Sequence, residues 1–118
     1  MMKNKYLNQL TILLKQSRPR LANMYQLEFK NVFGAVAGYI NGSIFISCGR
    51  FGVALRLPPE ILNDLFKQKG VRHLKYFPKG HIKKEYAVLS KRMLEDKRQF
   101  KVFITKSVKY ALSSSEPS

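Results

Sequence analysis

The chain has 118 residues, the size of one domain, and its 45% hydrophobic and 12% aromatic content excludes an intrinsically disordered protein. Its 22 Lys and Arg face 7 Asp and Glu, a formal net charge of +15 that repels itself in a compact state and favours an anionic partner: nucleic acid, an acidic protein or an anionic membrane. Cys48 is the only cysteine, which excludes an intrachain disulfide and zinc sites made of four cysteines or of two cysteines with two histidines.

No apolar run approaches the roughly 18 residues of a membrane span. The start, Met1-Met2-Lys3-Asn4-Lys5, carries basic residues but no apolar stretch or small-residue cleavage site. A cytoplasmic protein that does not engage a membrane is expected.

Residues 3–17 place Leu7, Leu10, Leu14 and Ser17 at helical spacing, with Tyr6 and Leu13 widening the stripe, and predict an amphipathic helix. Pro19 ends it, because the residue before a proline avoids the helical region. From Leu27 to Leu57 the pattern turns strand-like. The runs 29–33, 35–40 and 43–48 are punctuated by Gly34 and by Asn41-Gly42, the latter a strong hairpin signal because a type I′ turn needs positive φ at both central positions. Ile44, Ile46 and Cys48 alternate onto one face, and Val53, Leu55 and Leu57 do the same after a turn at Gly49-Arg50.

Pro58-Pro59-Glu60 suits a helix start, and Ile61, Leu62, Leu65, Phe66 and Lys69 follow the helical period up to Gly70, a predicted C-terminal cap. Two short strands are predicted at 73–77 and 86–89, joined through Pro78-Lys79-Gly80. Ser90 caps a predicted short turn at 91–94. A final helix is predicted over about 96–112, with Phe100, Phe103, Ile104, Val108, Ala111 and Leu112 as its apolar stripe. The expected organisation is one domain over 1–112 and a polar tail over 113–118. The expected fold is α+β, a two-layer arrangement of helices on an antiparallel five-stranded sheet, in the order α-β-β-β-α-β-β-α.

The run Asn31-Val32-Phe33-Gly34-Ala35-Val36-Ala37-Gly38-Tyr39-Ile40-Asn41-Gly42-Ser43-Ile44-Phe45 resembles the opening of the TfoX (Sxy) N-terminal domain family, where a Met-Phe-Gly-Gly-x-Gly-like stretch leads into Tyr-x-x-(Asp/Asn)-Gly-x-x-Phe. Gly52-Val53-Ala54-Leu55-Arg56-Leu57-Pro58 resembles the next strand of that family, and Gly70 to Phe77 and Tyr86-Ala87-Val88-Leu89 resemble its later segments. Val32 stands where the family usually has Met, and Ala35 and Ala37 depart from its glycine pattern. The resemblance spans about residues 29–112. It implies a regulator of DNA-transformation competence genes or of transcription, or an accessory to one, whose partners are transcription-machinery proteins or DNA. It carries no catalytic residues over. Full-length TfoX continues into a helical C-terminal domain, so a stand-alone N-terminal-like domain is expected.

The residues themselves offer little chemistry. Cys48 falls in an alternating apolar strand, as a small core hydrophobe does. His73 and His81 flank a basic strand pair without metal-ligand spacing. Among the seven acids only Glu95 and Asp96 are adjacent, and they precede a predicted helix, where acids ordinarily sit. Gly34, Gly38 and Gly42 do not match a phosphate-binding loop. No enzyme, catalytic residue, cofactor, metal or small-molecule substrate is expected.

The charge is the informative feature. Fourteen of the 22 basic residues lie within 65–110. Lys75, Lys79, Lys83 and Lys84 interleave with Tyr76 and Phe77, a combination suited to phosphates and stacked bases. Lys97, Arg98, Lys101, Lys106 and Lys109 add a basic face to the last helix. If the two groups adjoin, they form one patch for nucleic acid or for an acidic partner. No recognition-helix, zinc-finger or RNP signature is present, so contact with the DNA backbone is expected rather than reading of bases. The alternative is a protein-interaction module that binds an acidic protein and has no nucleic-acid role. Whether the chain forms a homodimer is left open.

Overall fold

Two-residue turns set the architecture. In a computed structural model describing residues 4–114, Phe33-Gly34 has φ of 50° and 81°, and Asn41-Gly42 has φ of 49° and 84°. Both pairs have the positive φ of a type I′ turn, whose twist matches that of the strands it joins. They connect β1 (Leu27–Val32), β2 (Ala35–Ile40) and β3 (Ser43–Gly49) into a meander that continues to β4 (Gly52–Arg56). After α3 (Pro59–Leu65), β5 (Arg72–Leu74) and β6 (Lys83–Val88) complete the sheet. The strand order is β1-β2-β3-β4-β6-β5, with every pair antiparallel. The fold is therefore α+β with six strands, not the expected five. All four runs read between residues 29 and 57 are strands, so four precede α3 where the expected order has three, and Phe33-Gly34 closes a full hairpin between the first two.

Helices α1 (Lys5–Ser17) and α5 (Lys97–Ser114) cover one face of the sheet, joined by the short α2 (Leu21–Met24) and α4 (Lys91–Glu95). Asn4 caps α1 by accepting from the Tyr6 and Leu7 amides, and Ser90 caps α4 by accepting from Met93. Leu10 and Leu14 of α1 and Phe100, Ile104 and Val108 of α5 pack on Ile46, Cys48, Val53 and Leu55. Ala54, between Val53 and Leu55, points to the opposite face and joins Leu74 and Val88 in a second, smaller core.

A bulge shapes the centre of the sheet. Gly38 pairs with Ile46 but Tyr39 pairs with Ile44, so Phe45 is an extra residue on β3. Phe45 and Ile46 are both fully buried, and Ile44 is turned to the face opposite Ile46 and Cys48, against the simple alternation expected. A Cβ at Gly38 would lie 2.7 Å from Ile46 Cγ2, so this strand position has room only for glycine.

Four further boundaries differ from expectation. Helix α3 stops at Leu65, with Phe66 as its cap, and Gly70 (φ 87°) makes the turn into β5 instead of capping the helix. β5 ends at Leu74 rather than 77, because the chain leaves the sheet edge there and folds over the second face. β6 starts at Lys83, three residues before the expected strand. Helix α5 runs two residues past 112, into the expected polar tail, where Ser113 and Ser114 hydroxyls donate back to the Tyr110 carbonyl. The rest of that tail, 115–118, lies outside the described residues, as do Met1, Met2 and Lys3, the last being the expected first residue of the first helix.

Candidate nucleic-acid interface

The face of the sheet away from α1 and α5 carries the most distinctive surface. Across its middle run Ala37, Ser47 and Ala54, paired laterally and all fully buried. These small side chains make a shallow trough. The segment after β5 lies over it as a strap, with Tyr76 half-buried and its hydroxyl 3.1 Å from Ser47 Oγ. Next along the strap, Phe77-Pro78-Lys79-Gly80 forms a tight turn closed by the Gly80 amide on the Phe77 carbonyl at 2.9 Å.

Two hairpin turns reach the same place. Phe33 sits 5.6 Å from the Tyr76 ring and 5.4 Å from the Phe77 ring, both edge-on. Phe51, from the β3–β4 turn, sits 5.6 Å from Tyr76, also edge-on. Such pairs are mutually favourable by about 0.5–1.5 kcal/mol each. Between the turns and the strap lies a cleft of about 500 Å³, whose rim includes Phe33, Phe77, Arg50 and Lys75. Phe33 is 65% exposed and Phe77 53%, so these rings face solvent while Tyr76 is held beneath them.

Cations frame the aromatic surface. Lys83 Nζ lies 6.0 Å from the Tyr76 ring centroid and Lys30 Nζ lies 4.9 Å from that of Tyr39. Arg72 is spent on structure: it donates to the Phe51 carbonyl at 2.6 Å and fixes that turn. Burial pushes the Tyr76 and Tyr86 phenols above their usual range, so this face presents neutral hydroxyls at physiological pH.

The expected site residues divide into two groups. Lys75 lines the cleft, Lys79 lies exposed on the strap turn, and Lys83 and Lys84 lie exposed where β6 begins. Lys97, Arg98, Lys101, Lys106 and Lys109 are exposed on α5, which covers the opposite face. Lys75 and Lys79 lie with the strap and α5 covers the other face, while Lys84 precedes Glu85, whose carboxylate accepts from Tyr110 of α5 at 2.8 Å beside Lys109. Phe33, Arg50 and Phe51 belong to the cleft but carried no signal of it in sequence. Phe33-Gly34 does read as a two-residue turn, but nothing local says that three distant loops converge.

Cys48 and His73 have contacts within the fold, and His81 is exposed. Cys48 is fully buried, its Sγ 3.3 Å from Gln9 Oε1, and burial raises its thiol to about 11. His73 stacks on Phe66, the residue that caps α3, with centroids 4.1 Å apart. Among the described residues no three His, Cys, Asp or Glu side chains gather as a metal site, and no helix is long and apolar enough to cross a membrane.

Compared with protein-family models, curated proteins and solved structures, the chain matches none of them.

Proposed function

We propose that this chain is a regulatory binding module of TfoX N-terminal type that contacts nucleic acid through its phosphates. The regulatory setting rests on the motif order in residues 29–112. The nucleic-acid contact rests on one observation: the positive charge is not neutralised within the fold. Among the described residues there are two ion pairs, Arg56–Glu85 at 2.9 Å and Lys67–Asp64 at 3.8 Å. Arg72 donates to the Phe51 carbonyl and Arg18 to the Thr105 hydroxyl, while most other described cations are exposed, on both faces, where they can displace counterions from a polyanion.

Fluorescence anisotropy with a labelled duplex of arbitrary sequence tests this. Binding that weakens steeply with salt is expected, with a slope of log Kobs on log salt of about −0.9 per phosphate neutralised. Absence of binding at low salt, from a chain of +15, refutes it.

A second reading has its own observation. Val102 lies 48% exposed on α5 next to Lys101, an apolar side chain on a basic helix that an acidic protein partner would cover. A pull-down from nuclease-treated lysate separates the two: partners that survive nuclease favour protein docking, and partners lost with the nucleic acid favour phosphate contact.

A further inference from the structure

The cleft on the strap face combines three features. Its rim exposes two aromatic rings. Its lining contains Arg50 and Lys75 and no acidic residue. And Phe33 holds a φ of 50°. A bulky residue in the left-handed region is a strained outlier, since the first central position of such a turn is favoured by Asn, Asp or Gly. The sequence places Asn at the equivalent position of the next hairpin, Asn41-Gly42, and Phe at this one. The strained turn holds the Phe33 ring over the cleft mouth, 5.4 Å from Phe77.

We infer that this cleft is a stacking site for an unpaired base of a single-stranded nucleic acid. Phe33 and Phe77 supply the ring faces, and Arg50 and Lys75 meet the phosphates on either side. The inference rests on the nucleic-acid reading above and narrows its substrate to single strands. Aromatic residues within a cationic surface are the combination by which proteins hold single strands without reading sequence. A duplex keeps its bases stacked inside and offers the cleft only phosphates. The charge of the lining selects an anionic occupant over a neutral apolar one.

The test compares a labelled oligothymidylate with a duplex of equal length, at one salt concentration, for the wild-type chain and for Phe33→Asn. Asn suits the turn but gives up the ring contacts with Tyr76 and Phe77, so a purely structural Phe33 predicts a change in stability with single-strand and duplex binding altered alike. Under stacking, Phe33→Asn weakens the single strand by roughly fivefold to 100-fold and leaves the duplex unchanged. Equal single-strand affinity in variant and wild type overturns the stacking site and leaves phosphate contact standing. Failure of the wild type to bind either probe overturns both readings. Displacement of the oligothymidylate by poly-glutamate at equal charge concentration overturns stacking in favour of an acidic protein partner. A second measurement does not depend on Phe33→Asn folding. The chain has no tryptophan, so Phe77→Trp is a single reporter at the rim. Oligothymidylate quenches its emission if a base stacks there; binding by anisotropy without quenching refutes the site.

Discussion

Ser107 lies fully buried within the apolar stripe of α5, and its hydroxyl reaches two carbonyls at once: Phe45 O at 2.6 Å and Arg56 O at 2.7 Å. Phe45 is the bulge residue that has no partner across the ladder, and Arg56 is the last residue of β4. One side chain from a helix thus serves both strands where the ladder is irregular. Ser107→Ala removes the donor and leaves these carbonyls without it, away from water. One proton is shared, so the loss is of the order of one unsatisfied buried group, about 1–3 kcal/mol. Removing the buried hydroxyl offsets part of this, leaving a net destabilisation of about 1–2 kcal/mol. For a domain near this size that lowers the Tm by about 4–8 °C. Urea unfolding should show a reduced midpoint at unchanged m. Lys106→Ala, one residue away and exposed, should stay within about 0.5 kcal/mol of wild type. If Ser107→Ala also stays within that margin, the hydroxyl does not serve the bulge and the reasoning fails.

Three other outcomes follow from single contacts. Gly38→Ala would force a methyl to within 2.7 Å of Ile46 Cγ2 and should cost about 1–3 kcal/mol, read as a lower urea midpoint; an unchanged midpoint would mean that the bulge yields freely. The Cys48 thiol, raised to about 11 by burial, should react with a disulfide reagent at pH 8 only at the rate of unfolding, and rapid labelling of the native chain would contradict its placement. The hydrogen bond from Arg56 Nε holds the Glu85 carboxyl below its ordinary value, helped by one from the Tyr110 hydroxyl. The contribution of Glu85 is therefore complete above the ordinary carboxylate pKa and is lost as pH falls through the lower folded value. Glu85→Gln should flatten the acid limb of stability against pH, and parallel limbs for the two proteins would count against the bond.

Much of this molecule was legible locally. The stripe of Leu7, Leu10 and Leu14, the proline start of α3, the Ser90 cap and the Asn41-Gly42 turn each depend on a few neighbouring residues, and backbone sterics and capping geometry act at that range. What lay beyond reach was set by contacts between distant segments. The Phe33-Gly34 turn uses a residue that propensity argues against, and it is held where Tyr76 and Phe77 pack against the ring. The bulge at Phe45 turns Ile44 to the other face, and it is accompanied by a serine more than sixty residues away in the chain. The strap leaves the sheet at Lys75 because a trough of Ala37, Ser47 and Ala54 on three different strands receives Tyr76. Charge was plain in the composition, but its partition was not. A helix and a strap of similar basicity lie on opposite faces because alternating residues of β4, Val53 and Leu55 against Ala54, feed two separate cores. The sequence by itself determined the three longer helices, most of the strands and the excess of positive charge, all short-range or additive properties. Which aromatic rings meet, and which cations accompany them, was decided only by tertiary structure, because strand pairing brings together loops that no local pattern connects.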